Sequence, residues 1–103
     1  MIKFITTTNE YDATIEKGTV LVDFYANWCG PCQMLAPVLE EIDESGAAPE
    51  VTIIKVNVDE NMEIASRYGI QSIPTLILFK DGKIADTRLG YINKSQVLKF
   101  LGK

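Results

Sequence analysis

Val20-Leu21-Val22-Asp23-Phe24-Tyr25-Ala26-Asn27-Trp28-Cys29-Gly30-Pro31-Cys32 decides the fold, because it carries the chain from a buried strand directly into a helix. Val20 to Ala26 places apolar side chains at odd and even positions alike, the pattern of a strand covered on both faces rather than half exposed. Beyond it, Leu35, Val38, Leu39 and Ile42 recur at i, i+3, i+4 and i+7. The segment from about Gly30 to Ser45 is therefore an amphipathic helix, with Pro37 expected to bend it. Glu40, Glu41, Asp43 and Glu44 mostly occupy its wet face, as a solvated surface does.

Working outward, Ile2 to Ile5 reads as a first strand, and Thr7 with Glu10 as a capping box opening a helix that ends near Gly18. Val51 to Val58 is another apolar strand, Asn61 to Tyr68 a short helix closed by Gly69 as a left-handed cap, and Thr75 to Phe79 a third buried strand. Asp81-Gly82 between extended runs favours a type I′ turn, which pairs Lys83 to Leu89 antiparallel with the strand before it. Asn93 and Gln96 have capping-box spacing, and Val97, Leu98 and Leu101 give the terminal helix its apolar stripe. The order βαβαβαββα implies a mixed sheet between helices.

With 103 residues, 47% hydrophobic and 23% charged, the chain suits one compact domain, 1–103, with its own core. Ten Lys plus Arg against fourteen Asp plus Glu leave a formal charge of −4, which offers no basic surface to nucleic acid or anionic membrane. No apolar leader or spanning run is visible: Leu76 to Phe79 falls far below the roughly 18 residues of a membrane helix, so a soluble, cytosolic protein is expected. The absence of histidine removes Ser-His-Asp and Cys-His triads and the usual neutral-pH proton shuttle.

Chemistry centres on the two cysteines. Cys29 falls near the N-cap of the amphipathic helix, where its sulfur can accept hydrogen bonds from unpaired first-turn amides and sits at the positive end of the helix dipole. Both effects favour thiolate over thiol, lowering a pKa that is about 8.5 in a free cysteine. Pro31 suits a first helical turn, where its missing N–H costs nothing. Helix geometry puts the Cα atoms of i and i+3 about 5 Å apart, within disulfide range. Cys32 can then attack a mixed disulfide held by Cys29 and release the reduced partner. A structural staple closing so short a loop contributes only about 2 kcal/mol. A tetrahedral metal site needs about four ligands, which two cysteines without histidine supply only if two chains share it. Haem attachment requires His where Gln33 stands.

The chain resembles the thioredoxin family along its whole length, most specifically at Asp23 to Cys32, and also at Pro37, Lys55, Tyr68-Gly69-Ile70, Ile73-Pro74-Thr75, Phe79-Lys80-Asp81-Gly82 and Gly90. The resemblance implies the thioredoxin fold, a central five-stranded mixed sheet flanked by four helices, and a protein-disulfide reductase serving electron transport and redox homeostasis. It makes Cys29 the exposed attacking thiolate and Cys32 the buried resolving thiol. Cys32 then needs a proton acceptor. Asp23 is the candidate, since it interrupts an apolar run where burial would raise its pKa toward the working pH; a sheet-edge Asp facing water is the plainer alternative. Lys55 interrupts Ile53-Ile54-Lys55-Val56, and the resemblance places it near the buried acid as a modulator. A snorkelling surface lysine would look the same.

Pro74 starts a strand, a place proline tolerates on structural grounds alone, so the residues do not fix its isomer. The resemblance implies cis, with the Ile73 backbone pairing with an extended substrate segment by strand addition. Trp28, Gly30, Pro31, Ile73, Pro74, Gly90 and Tyr91 would line a flat, mainly uncharged contact surface. Three positions depart from common family patterns: Tyr25 stands where a second tryptophan is frequent, Gln33 where Lys or Arg is, and Tyr91 where a small residue is. The glycines form no G-x-G-x-x-G fingerprint. No cofactor is expected, and electrons would come from a separate thioredoxin reductase and pass to disulfide-containing clients through a monomer. The competing class is a thioredoxin-fold subunit that acts by docking, its cysteines incidental.

Overall fold

Five consecutive buried residues, Val20 to Phe24, flanked by half-buried Thr19 and Tyr25, make Thr19–Tyr25 (β2) the axis of the molecule. In the computed structural model, which describes Met1 to Lys103, β2 runs parallel to Val51–Asn57 (β3) and antiparallel to Thr75–Lys80 (β4). Lys3–Phe4 (β1) adds parallel to β3 and Lys83–Leu89 (β5) antiparallel to β4, giving one mixed sheet in the order β1-β3-β2-β4-β5. The helices are Thr8–Ile15 (α1), Gly30–Ser45 (α2), Met62–Arg67 (α3) and Lys94–Phe100 (α4).

The two faces of the sheet bury separate cores, as the period of two along each strand requires. Val20, Val22 and Phe24 of β2 join Ile54 and Val56 of β3 under Tyr11 and Ile15 of α1 and Ile64 of α3. Leu21 of β2 and Ile53 of β3 join Leu35, Leu39 and Ile42 of α2 and Val97 and Phe100 of α4 on the other face. Each such side chain contributes about 1.5–3 kcal/mol when fully buried. The apolar positions expected on both faces of the second strand are therefore present because helices cover both.

Local signals fix most element ends. Thr7 Oγ1 accepts from Glu10 N at 3.1 Å, but the expected reciprocal half of the capping box is displaced: Glu10 Oε1 accepts from Thr6 N, one residue further out, while Oε2 pairs with Lys3 Nζ at 3.1 Å. The pull of Lys3 draws the carboxylate past Thr7. The box at Asn93 and Gln96 forms in full. Asp81 and Gly82 both take positive φ, 49° and 84°, as a type I′ turn demands. Gly69, at φ 60°, follows the short third helix as expected, although that helix is confined to Met62–Arg67. The first strand is shorter than Ile2 to Ile5, because only Lys3 and Phe4 pair with β3 in strand register.

Candidate active site

At the C-terminal end of β2 the chain turns through Ala26 to Trp28 and enters α2 with Cys29 as N-cap, its backbone extended at φ −91° and ψ 112°. Cys29 Sγ accepts a hydrogen bond from Cys32 N at 3.2 Å, so the sulfur occupies the position an Asp or Ser oxygen takes in an ordinary cap. Gly30 and Pro31 form the first turn, and Cys29 and Cys32 are joined in a disulfide with Cα atoms 5.2 Å apart, as i, i+3 spacing on a helix dictates. Gln33, which replaces a possible cation here, donates from Nε2 to Asn27 O at 2.7 Å and closes the loop leading into the helix.

The expected exposure of Cys29 is corrected. Cys29 is 5% exposed and Cys32 3%, because both sulfurs pack in a small cluster with Ala26 against Tyr25, Val58 and Ile73. What separates the two is their place on the helix: one sulfur caps the first turn and the other lies inside it. Ile73 O stands 3.7 Å from Cys29 Sγ. The Ile73-Pro74 peptide is cis, and Pro74 O accepts from Gly90 N at 2.8 Å, which ties the loop before β4 to the end of β5.

Around the disulfide, Trp28 is 72% exposed and Tyr91 40%. Gly30 and Pro31 are exposed, Ile73 and Gly90 half-buried, and Pro74 buried. Pro74 therefore lies beneath the surface around the disulfide and contributes little area to it. Trp28 Nε1 donates to Asp59 Oδ2 at 2.8 Å, and Asn57 Oδ1 accepts from Asp59 N at 2.9 Å, so the end of β3 anchors the indole. Sequence reasoning missed Asp59. Only the adjacency of β2 and β3 could have found it, since both strands end at this edge of the sheet.

Behind the disulfide lies the acid. Asp23 shares with Leu21 the sheet face that α2 covers, and is wholly buried. Neither carboxylate oxygen has a hydrogen-bond partner. Lys55 Nζ stands 3.6 Å from Asp23 Oδ2, too long for a hydrogen bond but close enough for strong coulombic attraction. Burial raises the carboxyl to about 6, and the Lys55 ammonium limits the rise. The water-facing alternatives for Asp23 and Lys55 are thus both set aside: Lys55 is 7% exposed. Cys32 and Lys55 line a common cavity of about 190 Å³ with Tyr25, Ala26, Gln33 and Ala36, and nowhere do three or more Cys, Asp or Glu side chains gather in a metal-binding cluster.

A cysteine capping a helix and disulfide-bonded to a second one turn on, with a buried acid on the sheet face that the helix covers, are the parts of a dithiol–disulfide exchanger. The family model described as Thioredoxin matches residues 2–103. The chain is 45% identical over 103 residues to a thioredoxin of Chlamydia trachomatis, covering 100% of this chain and 98% of that one. It is 44% identical over 97 residues to a thioredoxin of Bacillus subtilis, covering 94% and 92%. Among solved structures, the thioredoxin of Malassezia sympodialis superposes with a TM-score of 0.90 at 34% identity, covering 98% of this chain and 90% of that one. Oxidised mitochondrial thioredoxin 3 of Saccharomyces cerevisiae superposes with 0.88 at 33% identity, covering 98% and 93%.

Proposed function

The chain belongs to the thioredoxin family and is a thiol–disulfide oxidoreductase, a protein-disulfide reductase; on that premise we propose that Cys29 attacks, Cys32 resolves and Asp23 handles the resolving proton. The observation that carries this assignment is the hydrogen bond from Cys32 N to Cys29 Sγ at the N-cap. Once reduced, the sulfur so held has a donor and the helix dipole to stabilise negative charge, and Cys32, inside the helix, has neither at full strength.

The Cys29 thiolate attacks one sulfur of a client disulfide, forming a mixed disulfide and expelling a client thiolate, which takes a proton from solvent. Cys32 then gives its proton to the Asp23 carboxylate and attacks Cys29 Sγ. The Cys29–Cys32 bond forms, the mixed disulfide breaks, and the second client thiolate leaves. That thiolate takes a proton from solvent as Asp23 returns its own there. The client has thus gained two electrons and two protons, while this chain has lost two electrons and the two thiol protons, one when Cys29 ionised and one through Asp23. Asp23, with its carboxyl at about 6, is ionised near neutrality and is a stronger base than an ordinary carboxylate, so it accepts the proton transiently and passes it on. Cys32 and Lys55 line a common cavity, and Lys55 in turn stands 3.6 Å from Asp23, which brings the thiol and the acid into one neighbourhood.

Trp28, Gly30, Pro31, Ile73, Gly90 and Tyr91 form the client surface, with Pro74 supporting it, and the Ile73 backbone pairs with an extended client segment. Gly30 and Pro31 also shape the first turn that holds Cys29. The bulk of Tyr91 narrows one side of that surface, which bears on partner choice. The dithiol is itself the electron carrier without a bound cofactor, recharged by a separate thioredoxin reductase. The protein works as a cytoplasmic monomer on disulfide-containing clients, engaging neither nucleic acid nor membrane; no helix is long and apolar enough to cross a bilayer.

A Cys32→Ser variant tests the division of roles. It should accumulate covalent, thiol-sensitive adducts with client proteins through Cys29, because the hydroxyl in place of the Cys32 thiol cannot attack the mixed disulfide and expel the client thiolate. Equal adduct formation by the Cys29→Ser variant would overturn the assignment.

A further inference from the structure

Phe4 is 57% exposed and belongs to neither apolar core, although a large aromatic on a two-residue edge strand gains little there by itself. Its neighbour explains it. The sheet register sets Phe4, Lys55 and Asp23 side by side in one row across β1, β3 and β2, and Tyr25 follows Asp23 on the same face, two residues along β2. Lys55 Nζ lies 4.7 Å from the centroid of the Tyr25 ring and 5.7 Å from that of Phe4, both within the roughly 6 Å reach of a cation–π contact. The rings meet edge to face, their centroids 6.4 Å apart and planes at 79°. Asp23 Oδ2 closes the remaining side at 3.6 Å.

A lysine one strand in from the edge of a sheet ordinarily extends its stem until the ammonium reaches water. Here Phe4 flanks the ammonium from the edge strand, and the Lys55 side chain is only 9% exposed. We propose that Phe4 and Tyr25 are positioning residues whose rings clamp the Lys55 ammonium against the Asp23 carboxylate, and so set how tightly that carboxylate holds its proton. The clamp's bearing on catalysis rests on the acid–base role given to Asp23 above. Its electrostatic consequence does not.

The surrounding charges leave Lys55 as the group that counts. It is the one charged residue acting on Asp23, whose register partner on β4 is the apolar Leu76. Lys3, beside Phe4, is spent on Glu10, and Glu60 and Asn57 act on Tyr25. From α2, Cys32 faces Lys55 across their common cavity. Freed of its rings, the ammonium would move toward water, where both the longer separation and the higher dielectric weaken its hold on the carboxylate.

The test is a ¹³C NMR titration of the Asp23 carboxyl in the full oxidised chain, comparing wild type with Lys55→Met, with Tyr25→Phe and with Phe4→Leu combined with Tyr25→Leu. The double leucine variant should raise the midpoint by about one pH unit, in the direction of Lys55→Met, and Tyr25→Phe, which keeps the ring, should leave it in place. An unchanged midpoint in the double variant, or in Lys55→Met, would overturn the clamp. The wild type alone supplies a check should the double variant not fold: ring currents should shift the Lys55 ε-methylene protons upfield, and random-coil shifts there would contradict the proposal. Closure of a Cys29 mixed disulfide separates the two readings. If the titration moves as expected while the pH profile of closure does not, the clamp stands and the acid–base role of Asp23 falls.

Discussion

The two faces of the sheet are built from the same strands yet are put to different uses. Toward α1 and α3, β2 and β3 present Val20, Val22, Phe24, Ile54 and Val56, an unbroken apolar surface. Toward α2 and α4 they present Leu21 and Ile53 and then, nearer their C-terminal ends, Asp23, Tyr25, Lys55 and Asn57. The first face only holds the fold. The second begins as core and ends as a buried polar site under the first turn of α2, the end of a sheet with parallel strands where ligand chemistry usually gathers. Stability and function are thus separated by residue parity along a strand and by height along it.

Breaking the apolar face should have the largest effect. Phe79 is buried there, paired with Val20 at the end of the sheet away from the disulfide. Phe79→Ala should lower the unfolding free energy by about 3–5 kcal/mol, measured by denaturant titration, while the alkylation rate of reduced Cys29 in the folded protein stays as in wild type. A matching change in that rate would show the two faces to be coupled.

Breaking the polar face should have a smaller and opposite effect. Folding raises the Asp23 carboxyl from its ordinary value of 3.8 to about 6, so the folded state binds this proton more tightly than the unfolded chain does. The contribution of that proton to stability is complete below about pH 4 and lost as pH rises through about 6. A shift of roughly two pH units corresponds to about 3 kcal/mol. Asp23→Asn should therefore be the more stable protein by up to that amount at pH 8, should lose this pH dependence between 4 and 6, and should close mixed disulfides more slowly. Equal stability of the two proteins at pH 8 would mean that the carboxylate is not penalised by burial.

Local chemistry in the sequence reached the secondary structure well. The helix Gly30–Ser45 and the strand Lys83–Leu89 lie where the periodicity and the Asp81-Gly82 turn put them, and Asn93 with Gln96 caps the last helix as its spacing requires. The position of Cys29 at an N-cap was legible for the same reason: strand, turn and helix adjoin in the sequence. Contacts across the sheet were not legible. Asp59 reaches Trp28 over 31 residues, Phe4 meets Lys55 only through strand pairing, and the burial of Cys29 depends on Ile73 and Val58 closing over it. No periodicity encodes such meetings. Glu10 marks the boundary between these regimes, because its local capping signal was real but a lysine on β1 redirected it.

The ionisation of Cys29 tests the central claim most directly. In the fully reduced protein, the rate of iodoacetamide alkylation at Cys29 followed against pH should give a midpoint at least one unit below the value of about 8.5 for a free cysteine. A midpoint at that value, with a rate no faster than a small peptide's, would mean that the helix start does not stabilise the thiolate and would contradict the account.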